Sequence, residues 1–279
     1  MRGVPRLIDV QHLGKDRVIG AWLVDGLLID PGPESAVTNL LAGLAGEEPR
    51  GLLLTHIHFD HAGATGRLVE RWPQIPVYVH EVGAPHMADP SRLVASARKL
   101  YGDDFDRLWG EVVPVPEANL HVLQGGEAVE GFDVDYTPGH AKHHVTYFHR
   151  DSGSAYVGDM AGVRIPPSDL TRAPTPPPDI DIEAWLESVD RIEARQPSAL
   201  MLTHFDQVDD VAGQLAAVRE ALRFQAGLAR DADEDEFVAT LEQIAEDRAD
   251  PDTRESLFDA GDPRHFYLGL KRYWSKVAA

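Results

Sequence analysis

The sequence contains no cysteine among its 279 residues. This absence excludes disulfide bonds, thiolate metal ligands and a thiol nucleophile, so any metal-binding or catalytic chemistry must come from other side chains. The chain also lacks an apolar run of about 18 residues, the length that a membrane-spanning helix needs, and its first residues lack the apolar stretch of a secretion signal. We therefore expect a cytoplasmic protein that does not associate with membranes.

Basic residues are scarce, with 26 Lys and Arg against 46 Asp and Glu, and the formal net charge is −20. Proteins bind nucleic acids and anionic membranes mainly through clustered Lys and Arg, and the sequence contains no such cluster. We therefore expect neither as a partner and favour a small-molecule substrate. The apolar fraction of 43% indicates a folded, globular chain.

The pattern of apolar residues changes along the chain. Residues 17–30 predict a hairpin with a tight turn, and short apolar segments then alternate with helical patterns. From residue 120 onward, apolar and polar residues alternate, which predicts the successive strands of a meander. Residues 207–279 carry apolar stripes at helical spacing. We therefore expect a catalytic domain over residues 1–206 and a helical extension over residues 207–279, packed on that domain or, as a homodimer, on a partner chain.

The segment GLLLTHIHFDHAG, residues 51–63, ends a short apolar strand with four possible metal ligands, which are His56, His58, Asp60 and His61. His56 and His58 point the same way in an extended segment, and the turn that follows can bring the other two to the same place. Neutral imidazoles and carboxylates are ligands for zinc, iron or manganese. The alternative interpretation, unrelated surface histidines, suits a single histidine better than this grouping.

Three further strands end in a histidine or an aspartate, namely His140 after DVDYTPG, Asp159 in SAYVGD and His204 after SALMLT. Each alone has a simpler reading, as a turn residue, a helix cap or a loop histidine. Together with the first four they place seven ligand-type side chains at strand ends, where sites built on sheets usually lie. Seven ligands are too many for one tetrahedral ion, so we expect two ions.

In this order, the seven residues resemble the signature of the metallo-β-lactamase superfamily, whose H-x-H-x-D-H motif is matched by residues 56–61. The resemblance covers about residues 6–206 and implies an α/β (α+β) fold, an αββα sandwich, here with a helical C-terminal extension. It assigns one ion to His56, His58 and His140. It assigns the second ion to Asp60, His61 and His204, with Asp159 bridging both ions and Asp30 in a supporting role behind them.

The resemblance also implies a metal-dependent hydrolase. Two divalent ions about 3.5–4 Å apart share a water and lower its pKa towards about 7, which supplies hydroxide at neutral pH. One ion also stabilises the oxyanion that forms on the substrate. We expect attack on a small ester, thioester or lactone, with Asp60 as the catalytic residue that orients the hydroxide or handles the leaving-group proton. Zinc is the expected metal, and iron and manganese are the alternatives.

Other members of the same family leave alternatives open. An aspartate at position 159, where the best-known β-lactamases carry cysteine, favours the glyoxalase II-like and lactonase-like branches. The tyrosine typical of lactonases is missing after Asp159, and residues from 205 onward show no evident thiol-tripeptide site. The main alternative is a persulfide dioxygenase-like enzyme of the same fold that holds a single iron. A metal-binding module without catalysis is a third.

Three residues near the ligands are candidates for supporting roles. His144 follows His140 by four residues, and we expect it to support a ligand from behind, with a simple strand histidine as the alternative. Lys142 and Arg164 lie just beyond ligand-bearing strand ends and could hold a substrate carboxylate, or they are solvated loop charges. We interpret the other histidines as structural or exposed: His12, His80, His86, His121, His143, His149 and His265.

Overall fold

A computed structural model describes residues 4–278, which form two compact units. The first unit comprises the chain up to Tyr136 together with His143–Tyr147, and the second comprises Thr137–Lys142 and the chain from Phe148 onward. The predicted domain boundary after residue 206 therefore falls inside the second unit, and that boundary stays a prediction. Among the described residues, no helix has the length and apolar composition needed to span a bilayer.

A six-stranded sheet with its strands in chain order forms the centre of the first unit. The strands are β1 (Arg6–Asp9), β2 (Gly20–Val24), β3 (Leu27–Ile29), β4 (Gly51–Leu53), β5 (Val77–His80) and β6 (Leu120–Leu123). The first three are antiparallel neighbours, which confirms the predicted hairpin, and β3 to β6 run parallel. All residues of β4 and β5 are buried, as the continuous apolar runs of parallel strands require.

The expectation that residue 120 begins a meander was wrong. Strand β6 pairs parallel with β5, and Leu120 lies opposite Val77. Strand β6 is the last strand of its sheet, and the neighbouring residues His121 and Val122, which point to opposite faces, are both exposed. Because this edge strand is not buried on both faces, it lacks the continuous apolar run that is typical of a buried parallel strand.

The remaining strands of the first unit are β7 (Ala128–Val129), β8 (Phe132–Tyr136) and the first three residues of β9 (Val145–His149), in the order β9-β8-β7. Its helices are α1 (Val37–Leu44), α2 (Phe59–Ala62), α3 (Thr65–Arg71), α4 (Ala84–Ala88), α5 (Ser91–Tyr101) and α6 (Phe105–Trp109). Four single 3₁₀ turns occur at His12–Gly14, Glu34–Ala36, Gly102–Asp104 and Glu117–Asn119. Helix α4 was not predicted. Its Pro85 lies in the first turn, where proline is tolerated.

The second unit combines a small sheet with five helices. Its strands are β10 (Ala155–Gly158), β11 (Val163–Arg164), β12 (Thr171–Arg172), β13 (Leu200–Leu202) and β14 (Asp206–Val208). Its helices are α7 (Ile182–Ala194), α8 (Val211–Asp231), α9 (Glu234–Arg248), α10 (Pro251–Asp259) and α11 (Pro263–Val277). The order is β14-β13-β10 with the end of β9 beside β10, and β11 and β12 form a separate pair. The proline-rich segment 165–179 contains no helix, since proline lacks the N–H that the interior of a helix needs.

Aspartates begin all five helices of this unit. In each case the carboxylate accepts a hydrogen bond from a backbone N–H of the first turn, and the residues are Asp181, Asp210, Asp233, Asp250 and Asp262. Such caps stabilise a helix by about 1 kcal/mol. In the acidic run 231–236, Asp231 ends α8, whereas Asp233 and the three residues after it form the cap and first turn of α9, where negative charge is favoured.

The apolar stripes predicted for residues 207–279 form one core with the rest of the second unit. Leu222, Phe237 and Leu270 from three of the helices pack in the same cluster as Trp185 of α7. Helix α11 is also fixed by polar contacts, because the Tyr273 hydroxyl donates to Glu183 at 2.6 Å. Burying each large apolar side chain contributes about 1.5–3 kcal/mol, so these helices are part of the fold of this unit.

Ending the chain after residue 206 should therefore leave an insoluble protein. The truncation removes the side chains that cover Trp185 and the strands beside it, and exposed apolar surface of this size causes aggregation. The measurement is the soluble fraction after expression, followed by thermal unfolding of any soluble material. A soluble truncated protein with a cooperative unfolding transition would show that the helices are dispensable.

Candidate metal centre

The four predicted ligands of the H-x-H-x-D-H segment converge within the first unit. The chain leaves β4 at Leu53 and enters α2 at Phe59, so the histidines lie in the connection at the end of a buried strand. Nε2 of His56 is 3.0 Å from Nδ1 of His58. The rings of His56 and His61 are 4.0 Å apart, and Nε2 of His61 is 3.6 Å from the Asp60 carboxylate. His56 and His61 are fully buried, whereas the Asp60 side chain is 19% exposed.

Asp30 lies at the end of β3 and holds this connection in place. Its carboxylate accepts from the Thr55 amide at 2.8 Å and from the Thr55 hydroxyl at 2.7 Å. The same carboxylate lies 2.9 Å from Nδ1 of His61, and the side chain is buried. Because Nδ1 is engaged, Nε2 is the ring nitrogen that His61 presents for a metal. The role of Asp30 as a supporting carboxylate behind the ions stays a prediction.

Sequence reasoning did not find the part played by Thr55 and Tyr147. The Thr55 hydroxyl lies 3.1 Å from Nδ1 of His56, and the Tyr147 hydroxyl donates to the Leu54 carbonyl at 3.0 Å. Burial, and then the charge of Asp30, raise the pKa of Tyr147 well above its usual value, so the hydroxyl remains a donor. These contacts join residues far apart in the sequence, and no local pattern signals them.

Two further histidines lie beside these ligands in the first unit. The His143 ring is stacked 6.1 Å from His56 and is 5.6 Å from His58 in an edge arrangement, and its Nδ1 accepts from the Ile57 amide at 3.4 Å. The His144 ring is 5.0 Å from His56 and fully buried. His144 was expected near the ligands, whereas His143 was interpreted only as structural or exposed. His143 is buried and lies beside two predicted ligands, His56 and His58.

In the second unit, Asp159 is the meeting point of the other predicted ligands. One of its carboxylate oxygens lies 3.2 Å from Nε2 of His140, and the other lies 3.5 Å from Nε2 of His204. Nδ1 of His140 donates to the Pro174 carbonyl at 2.8 Å, so this histidine also presents Nε2. All three ligands are buried. The Asp159 carboxylate thus has one oxygen beside each of the two histidines, and its role as a bridging ligand stays a prediction.

Gly139 and Trp185 position this group. Gly139 has φ of 138°, and a Cβ at this position would lie 2.3 Å from Trp185 Cα, so only glycine fits. The Trp185 ring meets His140 edge-on at 5.4 Å, and its indole N–H donates to the Met160 carbonyl at 3.0 Å. The buried Trp185 side chain therefore contacts Met160, which follows Asp159, and His140, which follows Gly139.

The two basic residues predicted to hold a substrate carboxylate have different surroundings. Lys142 is 65% exposed, and its Nζ is 3.4 Å from Asp179. Arg164 is half-buried, and its backbone N–H donates to the His204 carbonyl at 2.6 Å. Its guanidinium lies 3.4 Å from the Gln214 side-chain oxygen. A contact between either residue and substrate stays a prediction.

The donor set suits a divalent transition metal. In the first unit, ligand-type atoms of His56 and His58, and those of Asp60 and His61, lie within 4.8 Å of each other. In the second unit the same holds for His140 and Asp159. Clustered imidazole nitrogens with a few carboxylate oxygens are the ligands of zinc, iron and manganese sites, whereas calcium and magnesium prefer oxygen alone. The histidine and aspartate clusters are therefore able to bind such ions.

Asp30→Asn should lower metal affinity by about 10–100-fold, the usual cost of losing a group that orients a metal-binding histidine. An amide cannot accept from Thr55 and His61 as a carboxylate does, so the His61 ring loses its fixed orientation. The measurement is competition with a chromophoric chelator, together with thermal unfolding. Asp16→Asn, at an exposed position, is the matched control. Unchanged affinity in a folded Asp30→Asn protein would remove the supporting role.

Sequence comparison identifies the family. Residues 18–204 match the family model for the metallo-beta-lactamase superfamily. Probable metallo-hydrolase YqgX of Bacillus subtilis is 35% identical over 138 residues, which are 48% of this chain and 60% of that protein. Hydroxyacylglutathione hydrolase of Xylella fastidiosa (strain M23) is 32% identical over 125 residues, 45% of this chain and 37% of that protein. The chain thus spans less than two thirds of the length of either relative.

Solved structures agree on the fold. ST1585 from Sulfolobus tokodaii, an archaeal metallo-beta-lactamase superfamily protein, superposes with a TM-score of 0.69 over 97% of this chain and 99% of that one, at 19% identity. TTHA1623, solved in a di-iron-bound form, gives a TM-score of 0.53 at 26% identity and covers 72% of this chain and 93% of that one. The expected mixed α/β fold class with a helical C-terminal region is confirmed. With well over half of its length matched by the family model, the chain belongs to the metallo-β-lactamase superfamily.

Proposed function

We propose that this protein is a dinuclear metal-dependent hydrolase that acts on a small ester, thioester or lactone. The observation that carries the proposal is the grouping of the predicted ligands within each unit. Four of them, including His56, lie together in the first unit, and three, including Asp159, lie together in the second. The names of two relatives support hydrolysis. One is a probable metallo-hydrolase, and the other is a hydroxyacylglutathione hydrolase, whose named substrate is a thioester.

The proposed ligand assignment follows the family motif. His56, His58 and His140 would hold one ion, and Asp60, His61 and His204 would hold the second. Asp159 would be a ligand of both, and the placement of its two oxygens beside different histidines supports this role. When bound, the ions polarise the substrate carbonyl and lower the pKa of a water so that it can act as a nucleophile at neutral pH.

The side chains of this protein have separate tasks in that reaction. Asp30 and the Pro174 carbonyl fix the tautomers of His61 and His140, so that Nε2 of each faces the site. The Asp60 side chain is 19% exposed, whereas His56 and His61 are fully buried. We assign Asp60 the proton step: its carboxylate orients the attacking water, accepts the proton that this water loses and passes that proton to the leaving group.

Several finer points belong to the same proposal. Zinc is the proposed metal, and the di-iron form of TTHA1623 supports iron as the first alternative, ahead of manganese. The substrate is a small molecule rather than a nucleic acid or a membrane, and Lys142 remains a candidate for contacting a substrate carboxylate. We place the protein in the cytoplasm. A homodimer through the C-terminal helices is a further proposal, which sedimentation measurements would test.

A panel of esters, thioesters and lactones, run in oxygen-18-labelled water, tests the reaction class. We expect turnover of at least one member, with one labelled oxygen atom in the carboxylic acid product. A persulfide substrate under labelled dioxygen is the parallel assay. Incorporation of oxygen from dioxygen, with iron as the only active metal, would replace the hydrolase by a persulfide dioxygenase.

A further inference from the structure

The second unit contains a cavity of about 600 Å³ that the proposed reaction does not use. It lies between the β11–β12 pair and helices α8 and α9. Small-molecule sites typically have volumes of about 300–1,000 Å³, so the space suits a compact organic ligand. Among the described residues, the lining includes none of the proposed ligands His140, Asp159 and His204. The cavity is therefore a separate feature of this unit.

Arg172 is a buried cation in the cavity wall, with 3% of its surface exposed. Its guanidinium donates to the carbonyls of Leu257 and Gly261, each at 2.8 Å, and lies over the rings of Phe258 and Phe266. Its Nε–H has no acceptor within residues 4–278. Burial lowers the pKa of Arg172 to about 10, so it stays charged at neutral pH. Its hydrogen-bond partners are neutral carbonyls, and the charge of Asp262 stabilises the cation only in part. A buried cation without a directly paired carboxylate costs free energy that a bound anion would offset.

Arg164 is a second cation of the lining and is half-buried. A guanidinium carries five N–H groups, and the one side-chain partner of Arg164 in the described chain is the neutral amide of Gln214, at 3.4 Å. Gln214 is itself held in place, because its NH₂ group donates to the Ala161 carbonyl at 2.8 Å. Arg164 therefore retains N–H donors for a ligand.

The other charged groups of the lining compensate these two cations only in part. Arg248 donates to Asp169 at 2.7 Å, and this hydrogen bond, with a smaller contribution from the charge of Arg164, lowers the pKa of that carboxyl. Asp169 is therefore paired mainly with Arg248. The Asp210 carboxylate accepts from a backbone N–H in the first turn of α8. Glu220 is exposed to solvent, where its charge is screened. The negative charges of Asp210 and Glu220 disfavour a dianionic ligand more than a monoanionic one.

An apolar surface shares the lining with these arginines. Leu241 and Ile244 belong to α9, and Phe224 of α8 is 45% exposed, unusual for so large an apolar side chain. We propose that the cavity binds a small organic acid with an apolar body, whose carboxylate is held by Arg164 and Arg172 and whose body lies on Phe224, Leu241 and Ile244. Planar guanidinium groups match a carboxylate with paired hydrogen bonds, which favours this anion.

The test is a competition experiment on the metal-loaded, full-length protein. The fluorescent probe 8-anilinonaphthalene-1-sulfonate, an apolar body with one negative charge, is bound first and then displaced by octanoate or by 1-octanol. These competitors share the alkyl chain and differ in charge. We expect octanoate to displace the probe at about tenfold lower concentration than 1-octanol, the effect of one charge-assisted hydrogen bond.

Variants locate the site. Ala221→Trp fills the cavity from α8 and should abolish probe binding, whereas Ala216→Trp, on the exposed side of the same helix, should not. Arg164→Gln should weaken octanoate about tenfold and leave 1-octanol unchanged. Thermal unfolding checks whether each variant is folded. If Ala221→Trp does not fold, Arg164→Gln alone tests the proposal.

Three results would overturn the proposal. Equal potency of octanoate and 1-octanol would mean that no carboxylate is recognised. Probe binding that survives in a folded Ala221→Trp protein would place the probe elsewhere. Loss of octanoate binding in His58→Ala, which removes a proposed metal ligand, would show that the carboxylate binds the metal instead; with intact binding there, the cavity stands independently of the hydrolase proposal.

Discussion

Asp159→Ala should lower kcat/KM for hydrolysis by at least about a thousandfold, the scale expected when a pair of catalytic ions is no longer held together. Among the predicted ligands of the second unit, this carboxylate alone contacts both histidines, at 3.2 Å to His140 and 3.5 Å to His204. Removing it deletes a ligand of each proposed ion at once. We therefore expect metal content to fall as well as rate.

The measurement combines steady-state kinetics with elemental analysis of the same protein. Asp103→Ala, an exposed aspartate in a 3₁₀ turn, is the matched control and should retain wild-type rate and metal content. Thermal unfolding with and without added zinc separates loss of metal from loss of fold. An Asp159→Ala protein that keeps its metal and more than a tenth of its rate would contradict the bridging assignment.

Asp60 variants should separate metal binding from proton transfer. Asp60→Ala removes a ligand and the proposed acid–base group together, and we expect kcat to fall by about 100–10,000-fold, the usual range for a lost general acid or base. Asp60→Asn keeps an oxygen of similar position but cannot carry a proton. It should therefore retain more metal than Asp60→Ala and still lose most of the rate.

Kinetics across a pH range complete this test. In the wild type, a rate-controlling proton step gives a pH profile that reports the groups involved, and Asp60→Asn should flatten the limb that belongs to the carboxylate. Rates and profiles that match the wild type in Asp60→Asn would assign Asp60 to metal binding alone. A fully active Asp60→Ala would remove it from the site altogether.

The site was predictable from sequence to the extent that its residues are local. Four of the predicted ligands lie in one segment, residues 56–61, and the other three, His140, Asp159 and His204, each lie at the end of a strand that the sequence predicts. The groups that orient these ligands could not be predicted from the sequence. Thr55 acts through its hydroxyl and Pro174 through a backbone carbonyl, and neither residue type indicates such a role.

The fold shows the same division between local and distant information. The hairpin and the C-terminal helices were predicted because they depend on local signals, a tight turn in one case and apolar residues at helical spacing in the other. The pairing of β6 with β5 was missed because this edge strand, with exposed residues on both faces, lacks the continuous apolar run of a buried parallel strand. Arg172 was not recognised because its partners Leu257 and Gly261 lie more than 80 residues away.

The number of bound ions tests the central proposal most directly. Protein purified without chelators and exchanged into buffer with a small excess of zinc, iron(II) or manganese should contain about two ions per chain by elemental analysis, because seven clustered ligands exceed the four of a tetrahedral site. A reproducible value of one ion per chain, unchanged by added zinc, iron or manganese, would contradict the dinuclear hydrolase.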